Sequence, residues 1–235
     1  AGGMLHRDFT SCREDPDARF PARWSWKRST LHLGRVPRTY DYESQALPET
    51  SCGEQGGQKM KRRPISISEF VIQAHSIWSH QWLVLTSGDF ESGMFNSMTV
   101  GWGSFGVMWN VPFAQVVVRP GRYTYQFMEQ YDTFTLCALG KKHRDALKIL
   151  GSRSGRDVDK ISEAGLTPIP STRIAAPGLA EAQLIMELRK IYWDDLEPGH
   201  FLDPSIEKNY PDKDYHRMYF GEILAITGTG SYSII

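Results

Sequence analysis

Residues 113–124 read FAQVVVRPGRYT, and the interpretation of the fold starts from this stretch. Phe113–Val118 is a run of apolar and β-branched residues with the length of a buried strand. Arg119-Pro-Gly follows as a turn signal, and Arg122–Tyr131 then places aromatic side chains at helical spacing. The stretch therefore predicts a strand that turns directly into a helix, with two arginines and the Thr124 hydroxyl beside the helix N-terminus.

This junction has the composition of an anion-binding site. Amides in the first turn of a helix lack intrahelical partners, and guanidinium groups form charge-assisted hydrogen bonds with phosphate. Arg119, Arg122 and Thr124 supply such groups. Taken alone, the residues fit an ordinary strand–helix turn with solvated arginines equally well. The polar stretch Gly151–Lys160 adds hydroxyls and a lysine, and its alternative interpretation is a plain interhelical loop.

Five further apolar runs have the length and residue types of strands, and few helical patterns separate them. Such an order favours an antiparallel barrel with helical insertions over repeated strand–helix–strand units. The predicted class is mainly β with short helices. The five runs are Trp82–Thr86, Met98–Gly103, Thr133–Ala138, Leu184–Trp193 and Tyr219–Thr227, and the predicted helices are Arg122–Tyr131, Lys142–Leu150 and Val158–Ala164.

The composition excludes several classes of protein. The 27 Lys and Arg residues balance 27 Asp and Glu residues, so the chain lacks the positive charge of a nucleic-acid binder. No apolar run approaches the roughly 18 residues of a membrane span. The three cysteines form no CxxC pair, and His75 and His80 lack the spacing of zinc ligands on one helix face. We therefore expect a cytoplasmic protein with no metal site and with neither nucleic acid nor membrane as a partner.

Residues 1–59 differ in composition from the remainder of the chain. They contain no Ile and a single Val, Val36, together with many Arg, Pro and Gly residues. A segment with so few core-forming side chains cannot bury enough apolar surface to fold alone. We therefore interpret 1–59 as a poorly structured extension and 60–235 as the domain, with Met60 as its start.

The segment Gly101–Gly106 matches the pattern G-x-G-x-x-G. In dinucleotide-binding folds the pattern opens a helix whose amides hold a pyrophosphate. Here Pro112 follows shortly and another strand comes next, so no helix of useful length fits. The glycines are instead expected to permit tight turns or the close approach of a ligand to the backbone.

Four motifs, in order along the chain, resemble those of the flavin reductase-like FMN-binding split barrels, particularly the flavoredoxin branch. The resemblance spans about residues 64–225, and it implies a six-stranded Greek-key split barrel, a homodimer and a non-covalent FMN near the subunit interface. The four motifs lie at 95–102, 119–125, 154–160 and 216–223.

The resemblance also implies a set of cofactor-binding residues and one catalytic residue. Two strands and their turns supply Asn96, Met98, Thr99, Trp102, Arg119, Tyr123 and Thr124, with Arg122 added because its charge lies on the same turn. Ser154 and Lys160 match the loop and the lysine that approach the phosphate. His216 matches a histidine near the flavin ring, and its alternative role is that of a hydrogen-bonded structural histidine at a strand edge.

These assignments predict an FMN-binding oxidoreductase that passes reducing equivalents from NAD(P)H or a protein donor through FMN. Arg119, Arg122 and Lys160 are expected to hold the phosphate, while Asn96, Met98 and Trp102 are expected to surround the ring. Two alternatives remain: a flavoredoxin-type electron carrier without enzymatic activity, and a split barrel that has lost flavin and serves as a binding module.

Overall fold

The computed structural model describes residues 61–234. The predicted extension at 1–59 and Met60, the predicted start of the domain, lie outside the described residues. Strands dominate the described part, and its helices are short, so the predicted class, mainly β with short helices, is confirmed.

The strands form one large antiparallel sheet and a separate two-stranded ribbon. The strands are β1 Arg63–Pro64, β2 Leu83–Asp89, β3 Met94–Val100, β4 Gly103–Met108, β5 Val111–Val118, β6 Thr133–Leu139, β7 Pro168–Ile169, β8 Gly178–Leu179, β9 Ala182–Asp195 and β10 Arg217–Gly228. The eight-stranded sheet has the order β3-β2-β6-β9-β10-β5-β4, with β1 beside β10, while β7 pairs with β8. Within residues 61–234 no ladder joins β3 to β4, so the sheet stays open there.

All six predicted strands overlap strands of the large sheet, but the sheet has eight strands rather than six. The prediction Met98–Gly103 is wrong in its bounds, because β3 ends at Val100 and a turn at 101–102 leads into β4. β4 was not predicted. It pairs only with β5 and its side chains are largely exposed, Val107 by 74%, so it carries no pattern of buried residues.

Alternate residues of the central strands enter two different cores. Leu83 and Leu85 of β2 lie in the larger cluster, whereas Val84 between them lies in a second cluster with residues of α3, Arg144–Ser152. Successive side chains of a strand point to opposite faces, so both faces of β2 are buried. This explains why the central strands read as continuous apolar runs.

The helices lie between strands. Their bounds are α1 Ala74–Ser76, α2 Tyr123–Gln130, α3 Arg144–Ser152 and α4 Lys160–Glu163, with a π-helical turn at Ile77–Gln81 and 3₁₀ turns at Lys141–His143, Pro198–His200, Pro204–Asn209 and Gly230–Tyr232. α3 and α4 pack on the second core, whereas α2 and the π-helical turn contribute to the larger one. The three predicted helices are confirmed with shifted ends. The last one begins at Lys160 because the Asp159 carboxylate accepts a hydrogen bond from the Ser162 amide and caps it.

The G-x-G-x-x-G segment forms a turn followed by β4, and it opens no helix. A Cβ atom on Gly103 would collide with the carbonyl oxygen of Gln115 and lie 2.6 Å from the Trp78 ring. Gly103 is therefore required by the close approach of two strands and an indole, whereas the sequence predicts a tight turn or the approach of a ligand.

Candidate functional site

Most of the predicted site residues meet in one cleft where β3, β5, α2, α3 and the start of β10 come together. The cleft consists of two adjoining cavities of about 190 and 130 Å³, which share Met98 and Arg122. The larger cavity is lined by Met98, Thr99, Val100, Gly101, Trp102, Val117, Arg119, Arg122 and His216. The smaller cavity is lined by Met98, Gly121, Arg122, Tyr123, Thr124, Leu150, Ser152, Arg153, Ser154, Arg156 and Lys160.

Lys160 is the most unusual group in the smaller cavity. Its side chain is only 4% exposed, and Nζ donates two long hydrogen bonds of 3.4 Å, to the carbonyl oxygens of Leu150 and Arg153. Burial, together with the positive charge of Arg122, lowers the pKa of Lys160 to about 8. A buried cation is costly unless an anion compensates it, and no acidic residue of the described part lines this cavity.

Two other cations of the smaller cavity, Arg122 and Arg156, are held in place by neutral groups. Arg122 donates to the carbonyl oxygen of Gly151 at 2.9 Å, and the Arg156 guanidinium lies 4.9 Å from the centroid of the Tyr123 ring. Arg153 makes a 3.9 Å ion pair with the exposed Glu163, which leaves the cavity itself positively charged. Arg122 precedes α2, whose N-terminus has no side-chain cap, and Tyr123 and Thr124 of its first turn also line this cavity. The combined donor set suits a phosphate group.

Asn96 supports the smaller cavity from behind. It is 5% exposed, and its Nδ2 donates to the Thr124 hydroxyl at 2.6 Å. A Cβ atom on Gly155 would collide with Oδ1 of the Asn96 side chain, so the loop that contains Gly155 passes directly over this side-chain amide. Asn96 lines neither cavity among the described residues, and its predicted contact with a flavin ring stays a prediction.

Met98, Thr99 and Ser154 lie on the cleft, as the sequence predicts. Met98 is 7% exposed and forms the boundary between the two cavities. The Thr99 hydroxyl donates to the carbonyl oxygen of Leu147 at 2.6 Å, which fixes α3 against β3. The Ser154 hydroxyl accepts from the amide of Arg156 at 3.2 Å and thereby shapes the loop at the positively charged end.

The far end of the larger cavity is aromatic. Trp102 is 50% exposed, and its ring centroid lies 5.1 Å from that of His216. His216 is 9% exposed and its Nδ1 lies 2.9 Å from the hydroxyl of Tyr210. Burial and the positive charge of Arg119 lower the pKa of His216 to about 4, against the opposing effect of Asp214. His216 is therefore neutral near pH 7, with one ring nitrogen fixed by Tyr210.

Arg119 lies at this aromatic end and not beside Lys160. Its guanidinium makes a 2.7 Å ion pair with Asp214 and donates to the carbonyl oxygen of Asn209 at 2.7 Å. It also lies 5.0 Å from the centroid of the Tyr210 ring. The sequence predicts that Arg119 holds the phosphate together with Arg122 and Lys160, whereas the geometry groups only the latter two in the smaller cavity.

Sequence reasoning missed Arg153 and Arg156, which line the smaller cavity, and also Gly155 and Tyr210, which lie against the predicted site residues Asn96 and His216. Arg153, Gly155 and Arg156 belong to the polar stretch Gly151–Lys160, and their proximity to Ser154 in the sequence was an available signal. Tyr210 had no such signal, because the two 3₁₀ turns between β9 and β10 bring it to His216.

The search for other kinds of site gave two negative findings within residues 61–234. No group of three or more His, Cys, Asp or Glu side chains is arranged to hold a metal ion. No helix in this part of the chain has the length and apolar character needed to cross a membrane.

Comparison with known proteins places these observations in a family. A curated protein of Aeropyrum pernix, described as uncharacterized, is 35% identical over 89 residues, which are 37% of this chain and 33% of that protein. The alignment thus spans about a third of the relative's length. Flavoredoxin of Desulfovibrio vulgaris (Miyazaki F) has a similar structure, with a TM-score of 0.50, 23% identity, and coverage of 64% of this chain and 70% of its own.

A second similar structure is an FMN-binding domain of flavin reductases-like enzyme from Shewanella baltica OS155. Its TM-score is 0.53 at 17% identity, and the match covers 73% of this chain and 79% of that chain. These similarities confirm the predicted split-barrel fold. The family model of the flavin reductase like domain matches residues 76–228. Because this match covers more than half of the sequence, the chain belongs to the flavin reductase-like domain family.

Proposed function

We propose that the protein is an FMN-dependent oxidoreductase that passes reducing equivalents from NAD(P)H or a protein donor through FMN. The observation that carries the proposal is the buried Lys160 cation, which shares a cavity with Arg122 and has no acidic partner there. This smaller cavity continues past Met98 into the larger cavity, which ends at Trp102 and His216. A cleft with cations at one end and aromatic groups at the other matches a phosphorylated ligand with a flat ring.

The residues at the positively charged end fit a phosphomonoester. Lys160 and Arg122 supply charged donors, and the uncapped N-terminus of α2 supplies amides beside Tyr123 and Thr124. Ser154 lines the same cavity and adds a hydroxyl. These residues would hold the phosphate of FMN, and the long hydrogen bonds of Lys160 leave its ammonium free to turn toward an anion.

The residues at the other end fit a flat aromatic ring system. Met98 and Val117 give the larger cavity an apolar surface, and Gly101 lines the same cavity. The half-exposed Trp102 stands at the mouth next to His216. In this arrangement the isoalloxazine ring of FMN would lie between Met98 and His216.

Bound FMN supplies the hydride and electron-transfer chemistry, and the protein residues control the access and orientation of the donor. His216 is neutral near pH 7, and the hydrogen bond between its Nδ1 and Tyr210 leaves Nε2 for a group in the cleft. It can orient a nicotinamide or exchange a proton there. The assignment of His216 as the catalytic residue is part of this proposal.

The test is anaerobic reduction of the FMN-loaded protein, followed by the flavin absorbance at about 450 nm. Rapid bleaching by NADH or NADPH without an added reductase is expected, and the rate should fall in His216→Gln while the FMN affinity changes little. An unchanged rate in His216→Gln removes this residue from the mechanism. Protein that takes up no FMN contradicts the proposal and favours the flavin-free binding module.

A second candidate is an electron carrier of the flavoredoxin type. The exposed indole of Trp102 at the mouth favours it, because the aromatic end of the cleft is accessible to a partner protein. In that case FMN binds but NAD(P)H does not reduce it, and reduction requires a donor protein. The homodimer and the cytoplasmic location that the sequence predicts remain predictions.

A further inference from the structure

A large cavity among the described residues lies apart from the candidate flavin cleft. It has a volume of about 590 Å³ and shares no lining residue with the two cavities of the cleft. Its walls come from the π-helical turn Ile77–Gln81, the start of α3 and the segment at Ser231–Tyr232. We refer to it as the second cavity.

The second cavity combines an apolar interior with positive charge. Ile72, Ile77, Leu139, Leu147 and Tyr232 provide its apolar surface. The charged and titratable groups on its wall are Lys141, Arg144 and His80, and no acidic residue of the described chain lines it. A matching ligand therefore carries both an apolar body and a negative charge.

Two polar groups on the wall are not used by the fold. The Lys141 side chain is exposed and makes no hydrogen bond or ion pair within residues 61–234. The amide side chain of Gln183 is half-buried and has no hydrogen-bond partner in the described part of the chain. Arg144, in contrast, donates to the carbonyl oxygens of His80 and Gln81 and lies 3.6 Å from the centroid of the Trp82 ring. The Arg144 side chain thus stabilises the wall of the cavity, whereas the Lys141 side chain is available to bind a ligand.

The backbone of this wall is irregular. Ile77–Gln81 is a π-helical turn, and Trp82 follows it with a φ of 62°, a conformation that costs energy for a bulky residue. Such features persist where the surrounding structure enforces them, often around ligand sites. Trp82 also lies 3.1 Å from where a Cβ of Gly101 would be, so it separates the second cavity from the flavin cleft.

We propose that the second cavity binds an amphipathic organic anion, a monocarboxylate with an apolar tail. The carboxylate pairs with Lys141 and the Gln183 amide, and the tail lies against Ile77, Leu139 and Leu147. This site is independent of flavin binding, because no wall residue is shared.

The test is calorimetric titration of the FMN-loaded protein with octanoate and, in parallel, with 1-octanol as the uncharged probe. Octanoate should bind with a stoichiometry of one per chain and more tightly than octanol. Lys141→Glu should weaken octanoate binding by about tenfold or more, since it replaces an attractive charge by a repulsive one. Lys142→Glu is the matched control, because Lys142 is exposed on the same 3₁₀ turn but does not line the cavity.

Four results would each overturn the proposal. They are absence of saturable octanoate binding, equal affinity for octanoate and octanol, equal losses in Lys141→Glu and Lys142→Glu, and displacement of FMN by octanoate. The last result would place the anion in the flavin cleft. Because Lys141 makes no contact that holds the fold, a weakened variant should keep its melting temperature and its FMN content.

Discussion

The affinity for FMN should fall as the pH rises from 7 to 9, because Lys160 loses its proton in this range. The pKa of Lys160 is lowered to about 8 by burial and by Arg122. A bound phosphate stabilises the charged ammonium and raises that pKa again. Above pH 8, binding of FMN therefore requires Lys160 to take up a proton. The affinity falls as the pH rises, because this uptake becomes less favourable. The phosphate itself stays a dianion here, since its second pKa is about 6.

The size of the effect follows from the protonated fraction of the ligand-free protein. With a pKa of about 8, Lys160 is roughly nine-tenths protonated at pH 7 and roughly one-tenth protonated at pH 9. If the protonated form is the one that binds the phosphate, the affinity for FMN drops about tenfold, or ~1.4 kcal/mol. Riboflavin has no phosphate, so its affinity should change much less.

The assay is quenching of flavin fluorescence, titrated at pH 7, 8 and 9 with FMN and with riboflavin. Lys160→Met removes the charge but keeps an apolar stem in the buried position, and it should bind FMN more weakly with no dependence on pH in this range. Lys142→Met serves as the surface control. The reasoning is refuted if wild-type binding of FMN is flat from pH 7 to 9, or if Lys160→Met keeps the wild-type slope.

Four further predictions concern the two ends of the cleft. Gly155→Ala should lower both the melting temperature and the FMN affinity, because its Cβ collides with Asn96; an unchanged protein would show that the loop moves freely. Tyr210→Phe removes the hydrogen bond to His216, so the free energy of unfolding in urea should fall by about 1 kcal/mol. Reduction by NAD(P)H at saturating FMN should also be slower, because the His216 ring is no longer held. An unaltered rate and pH profile would show that Tyr210 has a structural role only. Arg119→Ala should weaken FMN and riboflavin to a similar extent, because Arg119 holds Asp214 at the aromatic end; a loss confined to FMN would place Arg119 at the phosphate. The pKa of His216 in the folded protein is lowered to about 4, so the free energy of unfolding should fall as the pH drops from 6.5 to 4. Relative to His216→Gln, the loss should reach up to about 3 kcal/mol in paired urea titrations. Parallel pH dependence of the two proteins would refute the shift.

The strands at the centre of the sheet were predictable because both of their faces are buried. β2 and β6 are buried at nearly every position, and their apolar runs at Leu83–Leu85 and Leu136–Leu139 then suffice to identify a strand. β4 lies at an edge with one neighbour, and its glycines pack against Gln115 and Phe113 of β5. The partner strand β5 creates this need for glycine, so the residue pattern of β4 alone does not reveal it.

The residues of the candidate site were predictable where they lie close together in the sequence. Arg122 and Thr124 are adjacent to the start of α2, and Ser154 and Lys160 frame one loop. The ion pair that holds Arg119 at the other end of the cleft involves a residue 95 positions away, and it forms only when β10 pairs with β5. Pairing between distant segments decides such contacts, so sequence spacing could not separate Arg119 from the cations of the smaller cavity.

The central claim is that FMN binds along the cleft between Lys160 and His216. The most direct test is a crystal structure of the protein grown with FMN. The account predicts a phosphate within hydrogen-bonding distance of Lys160 Nζ and the Arg122 guanidinium, and a flavin ring against Met98 next to Trp102 and His216. Flavin density in the second cavity, or a phosphate held by Arg119 away from Lys160, would contradict it.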